Sequence, residues 1–139
     1  MKQNFTTIII ESNPRKLLEF TTQVKKYLEQ QEIKTGMLSL YIKHTSASLL
    51  IQENADPDVL EDLENFFDKI APQNLSLYKH KTEGPDDMPA HIKSALTTTH
   101  LNIPFINKKL ELGTWQGIFL FEHRNTLHKR SVNIHLIGE

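Results

Sequence analysis

Three histidines, His44, His80 and His91, lie in polar stretches of the chain and have the chemistry of metal ligands. A neutral imidazole presents a nitrogen lone pair near pH 7, which makes histidine a common ligand of zinc-like ions. The intervals between these residues are too long for a short zinc-binding motif. Two interpretations therefore stay open: the three histidines bind a divalent metal, zinc or magnesium, or they are packed residues with hydrogen-bonded rings.

Two carboxylates are candidates for a general base. Glu53, with Asn54 beside it, falls between a predicted strand and a predicted helix, where neither has an obvious structural duty. Asp87 is the second candidate, and carboxylates of this kind also suit a hydrated magnesium ion. Without a bound metal, His44 and His91 remain as candidates for acid–base catalysis.

Five side chains have the chemistry to hold a ligand. Arg124 and Lys93 are the best candidates for phosphate, because arginine contacts phosphate with two parallel hydrogen bonds and lysine acts as a point charge. Trp115, the only tryptophan, is either a core aromatic at a strand bend or a flat wall for a heteroaromatic ring. Gln116 and Asn54 can donate hydrogen bonds to ligand oxygen or nitrogen atoms.

The elements that must position these residues follow from hydrophobic periodicity. Asn13-Pro14 predicts a helix start, with apolar residues from Leu17 to Leu28 at helical spacing. Alternation from Leu38 to Ile42 predicts a half-buried strand, and His44 continues its inward parity. Asp56 before Pro57 predicts the N-cap of an amphipathic second helix. The stretch from Gln73 to Pro89 reads as a long loop before a short third helix.

The rest of the chain, from Leu101 onward, predicts strands and tight turns. Strands and helices do not alternate as repeated βαβ units. We therefore expect one α+β domain over residues 1–139, with a largely antiparallel sheet and helices packed against it.

Composition excludes several classes of function. There is no cysteine, which removes disulfides, thiolate metal sites and a cysteine nucleophile. The net charge of -1, without clustered basic residues, argues against nucleic-acid binding. No stretch approaches the roughly 20 apolar residues of a membrane span, and no signal peptide is visible. We expect a soluble, cytoplasmic protein.

The chain resembles the YjbQ family, also called UPF0047 and named a secondary thiamine-phosphate synthase family, over nearly its whole length. The motifs that carry the resemblance are HTSASLLIQENADPDV, DDMPAHIK, LGTWQGI and EHR. The resemblance implies an α+β fold with a β-sandwich-like core, a homotrimer, and a polar pocket formed by these motifs that can hold a metal. Thr45, in the first motif, is on this basis expected to contact the ligand.

We expect an enzyme acting on a small phosphorylated substrate, with thiamine-phosphate synthesis as the named possibility. In that reaction Arg124, Lys93 and a metal would stabilise the departing pyrophosphate, while Trp115 and Gln116 would align the rings. The chain has neither a P-loop nor an Asp-rich diphosphate motif, so the synthase reaction is also compatible with a side activity. The alternatives are a metal-assisted hydrolase and a trimer that binds a metabolite without turning it over.

Overall fold

Groups of strands are separated by single helices or a helix pair along the chain in the computed structural model, which describes all residues 1–139. The strands are β1 (Lys2–Glu11), β2 (Leu17–Glu19), β3 (Gly36–Ile42), β4 (Ala47–Glu53), β5 (His100–Ile106), β6 (Lys109–Leu110), β7 (Gln116–Glu122) and β8 (Lys129–Gly138). The helices are α1 (Thr21–Glu29), α2 (Pro57–Ile70) and α3 (Asp87–Leu96), with one 3₁₀ turn at Leu75–Leu77. The predicted α+β class is confirmed.

All strand pairs are antiparallel and form two sheets. The larger has the order β1-β8-β3-β5-β6, and the smaller has the order β2-β7-β4. The main core draws buried side chains from both sheets, such as Leu40 and Leu120, and is closed by Val24 and Leu28 of α1. A second, smaller core on the three-stranded sheet packs Phe121 against Phe67 of α2. The two layers give the sandwich-like core that the sequence indicated.

The helix predicted to start at Asn13-Pro14 is wrong in its first turns. Arg15 has a φ of 55°, a left-handed conformation that does not propagate a helix. Leu17–Glu19 instead forms β2 and pairs with Phe119–Phe121 of β7. The spacing of these apolar residues alone is compatible with a helix or a short strand. The strand forms because it pairs with β7, about a hundred residues away in sequence.

The second helix and the hairpin turn agree with the sequence. Asp56 caps α2, because its Oδ1 accepts a hydrogen bond of 2.9 Å from the backbone N–H of Asp58. Asn107 and Lys108 both have positive φ angles, of 50° and 61°, as a two-residue hairpin turn requires. None of the three helices is long and apolar enough to cross a membrane.

The pairing of β4 with β7 decides where the motifs lie. Their ladder runs from Ala47 opposite Glu122 to Glu53 opposite Gln116. Six residue steps along a strand span roughly 20 Å, so the two ends of this ladder are well separated. Residues near His44 and Arg124 therefore lie at one end of the protein, and Glu53 and Trp115 lie at the other.

Candidate functional site

The strongest candidate site is a cluster of His80, Asp87 and His91, which we call the His–Asp–His cluster. Asp87 and His91 are one helical turn apart at the start of α3 and share a face of the helix. The preceding loop brings in His80, whose Nε2 lies 2.6 Å from Asp87 Oδ2. His91 Nε2 lies 3.2 Å from the same oxygen. All three potential ligand atoms fall within 4.8 Å of one another.

Arg124 binds the carboxylate of Asp87 through the oxygen that does not face the two histidines. Its Nη1 donates to Asp87 Oδ1 at 2.7 Å, its Nε donates to Asp86 Oδ2 at 2.9 Å, and its Nη2 donates to the Glu83 carbonyl at 2.9 Å. Oδ2 of Asp87 is thus left to face the two imidazoles. The carboxylate is 2% exposed, whereas both histidines are partly exposed, so the cluster opens to solvent on the histidine side.

The electrostatics keep Asp87 ionised at neutral pH. Burial alone would raise the pKa of its carboxyl, but the hydrogen bond with His80 and the charge of Arg124 outweigh burial and lower the pKa. The hydrogen bond to Asp86 raises the pKa of Arg124 in turn. The cluster therefore presents an ionised carboxylate beside two partly exposed imidazoles.

The donor set fits a divalent ion. Two imidazole nitrogens and one carboxylate oxygen, with an open side, match the three-ligand arrangement of catalytic zinc sites and of two-histidine, one-carboxylate iron sites. Ligand atoms about 2.0–2.1 Å from a tetrahedral ion lie about 3.3 Å from each other. The His91–Asp87 distance of 3.2 Å is close to this value, and His80, at 2.6 Å from Asp87, would need to move outward.

His44 does not belong to this cluster, which corrects its grouping with His80 and His91 as a metal ligand. β3 ends at Ile42, and the half-buried His44 ring turns toward β8. Its Nε2 accepts a hydrogen bond of 2.8 Å from the backbone N–H of Ser131, so that lone pair is already used. Burial and the charge of Arg130 lower the pKa of His44, so the ring stays neutral at pH 7.

Beside His44 lies a buried ion pair that sequence reasoning missed. Glu122 is fully buried, and its carboxylate accepts hydrogen bonds from Arg130 and from the hydroxyl of Ser12. Arg130 also donates to the carbonyl and the hydroxyl of Ser46. Burial would raise the pKa of Glu122, but these donors lower it below its ordinary value. The alternation of side chains along β8 could have revealed this pair, because Arg130 lies on the same inward face of the strand as Val132 and Ile134.

His123, in the motif EHR, is a core residue. Its Nε2 lies 2.9 Å from the hydroxyl of Ser48, and both side chains are buried. Burial, with the positive charges of Lys93 and Arg130, lowers the pKa of His123 to about 3. The ring is therefore neutral, and its Nδ1 has no hydrogen-bond partner. The Ser48–His123 pair resembles a nucleophile and base but is closed to substrate.

Both predicted phosphate ligands are paired within the protein. Lys93 is 2% exposed and donates to Asp68 Oδ1 at 2.6 Å. Arg124 is occupied by Asp86, Asp87 and Glu83, as described above. Their assignment to phosphate binding is corrected on this evidence, because a cation already bound to a carboxylate offers a phosphate little free charge. Arg124 instead positions Asp87.

The remaining predicted residues gather at the far end of the β4–β7 ladder, which we call the tryptophan end. Trp115 is 61% exposed and is therefore not a core aromatic. The amide of Asn54 donates to Glu19 Oε2 at 3.1 Å, whereas Gln116 Oε1 accepts from the Gly113 N–H at 2.8 Å and closes a turn. Glu53 lies here too, half-buried, so it does not reach the His–Asp–His cluster of the same chain.

Comparison with known proteins gives a uniform result. A family model described as UPF0047 protein YjbQ-like matches residues 6–139. A UPF0047 protein of Synechocystis sp. is 48% identical over 138 residues, covering 99% of this chain and 94% of its own. The UPF0047 protein YjbQ of Salmonella typhimurium is 42% identical over 134 residues, covering 96% of both chains.

Solved structures agree with the sequence comparisons. A YbjQ-like protein of unknown function from Sulfolobus solfataricus superposes with a TM-score of 0.89 at 25% identity, covering 99% of each chain. A protein of the yjbq/upf0047 family from Clostridium acetobutylicum superposes with a TM-score of 0.84 at 32% identity, covering 95% of this chain and 99% of its own. These names describe a family and a fold but no reaction.

Proposed function

This chain belongs to the UPF0047 family of YjbQ-like proteins, and from its site we propose that it is a metal-dependent hydrolase of a small phosphorylated substrate. The observation that carries the proposal is the His–Asp–His cluster, in which a buried carboxylate fixed by Arg124 faces two partly exposed imidazoles. Three protein ligands and an open side are typical of a metal that does chemistry rather than one that only stabilises a fold.

Each residue of the cluster has a distinct role in this proposal. His80 and His91 would bind the ion through Nε2, and Asp87 through Oδ2, while its other oxygen stays on Arg124. A divalent ion held by these residues would supply a nucleophile without a separate protein base, because such an ion lowers the pKa of water. Arg124 keeps the carboxylate from turning away, a support that other metal sites also need.

Thiamine-phosphate synthesis is the second candidate, and one observation favours it. The exposed indole of Trp115 is free to stack on a heteroaromatic ring, and the Trp115 backbone carbonyl accepts a hydrogen bond from the backbone N–H of Asn54. Against it, Lys93 and Arg124 are bound to carboxylates and offer no free charge to a departing pyrophosphate. Incubation of the metal-loaded protein with both precursors tests it, since formation of thiamine phosphate would place this reaction ahead of hydrolysis.

A homotrimer is also proposed, because the outer face of the larger sheet carries exposed apolar side chains. Phe5 is 65% exposed and Ile9 is 58% exposed, both on β1, and Ile137 on the neighbouring β8 is 39% exposed. Apolar residues grouped on one sheet face are typical of a surface that a partner covers. Light scattering should give about three times the 16.1 kDa chain mass, and a mass near one chain would refute the trimer.

Metal content is the first experiment for the proposed function. We expect about one zinc-like ion per chain in wild-type protein and a loss of that ion in His91→Ala and Asp87→Asn. His100→Ala is the matched control, because His100 is exposed and lies outside the cluster. Equal metal content in all four proteins would contradict the site.

Activity is measured next, on a panel of small phosphate esters with the metal-loaded protein. Release of inorganic phosphate that disappears in Asp87→Asn and persists in His100→Ala supports hydrolysis. Saturable binding of an ester without any product would instead identify a metabolite-binding protein, the remaining alternative.

A further inference from the structure

Two fixed donors point at the two ring nitrogens of His44. The backbone N–H of Ser131 lies 2.8 Å from Nε2, and Nη1 of Arg130 lies 3.4 Å from Nδ1. A neutral imidazole has one lone pair and one N–H, so it accepts only one of these contacts. The shorter contact uses the lone pair of Nε2, and the proton is therefore on Nδ1.

The consequence is a pair of donors without an acceptor. The Nδ1–H of His44 faces Nη1 of Arg130, and a guanidinium nitrogen donates only. Nη1 makes no other hydrogen bond in the protein, whereas Nε and Nη2 are bound to Glu122 and Ser46. An oxygen atom placed between the two groups would accept from both.

Such an oxygen would enter from the His44 side, because Arg130 is only 4% exposed and does not line the neighbouring groove. An open groove of about 540 Å³ is lined by the segment from Tyr41 to Ser46 and includes His44 itself. The hydroxyl of Thr45 is exposed in this groove and makes no hydrogen bond within the chain. Thr45 therefore supplies a third free donor beside the other two.

The charge of the groove favours an anion. Arg130 is neutralised by Glu122, but Lys43 is exposed and forms no ion pair. One positive charge therefore remains in excess next to three free hydrogen-bond donors. A phosphate group, with up to two negative charges and three terminal oxygens, matches this set better than a carboxylate does.

We propose that His44, Thr45 and Arg130, with Lys43 at the rim, form an oxyanion site for the phosphate group of a small metabolite. The identity of that metabolite as the substrate rests on the proposed function, whereas phosphate binding itself does not. The two sites are neighbours: Glu122 binds Arg130 and also accepts from the backbone N–H of Arg124, whose side chain holds Asp87. A continuous chain of hydrogen bonds therefore links Arg130 in the proposed phosphate site to Asp87 in the His–Asp–His cluster.

The test uses metal-free protein and inorganic phosphate, so that the His–Asp–His cluster takes no part. Imidazole ¹⁵N NMR, with His44 assigned by its absence in His44→Ala, should show the proton on Nδ1 and a saturable shift of that nitrogen with phosphate. His100→Ala, an exposed position outside both sites, should behave like wild type. Because the protein is metal-free, a failure of the metal site would leave this result unchanged, and the two proposals can fail separately.

Two variants test the donors. Thr45→Val and Lys43→Gln should each weaken phosphate binding by about tenfold, the effect of losing one contact to an ionised group. Thr22→Val and Lys26→Gln are matched controls, because both residues are exposed on α1 and make no side-chain contact to the groove. A proton on Nε2, no saturable shift, equal loss in the controls, or acetate binding as tightly as phosphate would overturn the proposal.

Discussion

Asp87 and Glu122 are both buried carboxylates paired with an arginine, but their surroundings differ. Arg124 takes one oxygen of Asp87, and two partly exposed histidines face the other. Both oxygens of Glu122 are taken by donors that belong to the protein: Arg130, the Ser12 hydroxyl and the Arg124 backbone.

The difference separates a structural pair from a reactive one. A buried carboxylate whose acceptors are all filled is held in place and offers nothing to a ligand. A carboxylate with one oxygen left toward accessible imidazoles has an open side at which a metal ion can bind. Removal of Glu122 should therefore damage the fold, while removal of Asp87 should damage the site.

The largest loss of folding stability is expected when the buried ion pair of Glu122 and Arg130 is broken. Glu122→Gln leaves Arg130 buried without its counter-ion, and breaking a buried ion pair in this way costs about 3–5 kcal/mol of folding free energy. Urea unfolding measures it. Glu32→Gln is the control, because Glu32 pairs with Lys2 at the surface with 86% of its side chain exposed. Similar losses in the two variants would show that burial does not distinguish the pairs.

Acidification should destabilise the protein next, through His123. Its folded pKa of about 3 lies below the unfolded value, so the unfolded chain binds more protons and stability falls as pH decreases from 6.5 toward 3. The loss between pH 6.5 and pH 5 is about 2 kcal/mol, because each pH unit is worth about 1.4 kcal/mol. Stability measured against pH should be flatter in His123→Gln, and an equal slope would contradict the assignment.

The lowered pKa values of Asp87 and Glu122 affect folding stability at a lower pH than the histidines do. A carboxyl with a depressed folded pKa contributes stability that is present above its unfolded pKa and lost as pH falls through the folded value. Acid unfolding below about pH 4 therefore combines these carboxyl groups with the histidines, whereas the window from pH 6.5 to pH 5 reports on the two histidines with lowered pKa values, His44 and His123, and the His123→Gln variant separates them.

Local periodicity predicted the parts of the fold that depend on nearby residues. The alternation of Leu38, Leu40 and Ile42 gave β3, and Asp56-Pro57 gave the start of α2, because each signal lies within a few residues. The same logic could not place Leu17–Glu19, whose strand exists only through its pairing with β7. Partners that are distant in sequence decided that segment.

The site was predictable to a similar extent. His80, Asp87 and His91 were all selected from sequence, and the i,i+4 spacing of Asp87 and His91 could have marked Asp87 as a ligand. Within one chain the motifs do not meet in one pocket, because β4 and β7 carry them at opposite ends of their ladder. The occupation of Lys93 by Asp68 depends on a contact that no local pattern shows.

The hydrogen bond from Arg124 to Asp87 allows a test of the His–Asp–His cluster itself. Arg124→Lys keeps the charge but loses the hydrogen bonds to Asp86 and to the Glu83 carbonyl. Loss of such a supporting residue typically weakens metal binding about 10–100-fold. Competition with a chelator measures this affinity, with Arg15→Lys as the surface control. Unchanged affinity would show that Arg124 is only a structural partner of the loop.

The smallest effect on stability is expected at the tryptophan end. Unlike Glu122, Trp115 is not buried, and unlike Asp87, it does not belong to a cluster of possible metal ligands. Trp115→Ala should change the free energy of unfolding by less than about 0.5 kcal/mol, as for other surface substitutions, because the indole is 61% exposed. Phe121→Ala, at a position 1% exposed, should cost about 3–5 kcal/mol in the same assay. A large exposed aromatic that the fold does not need is free to contact a ligand or a partner. A loss at Trp115 as large as at Phe121 would instead assign the indole to the core and remove it from any binding role.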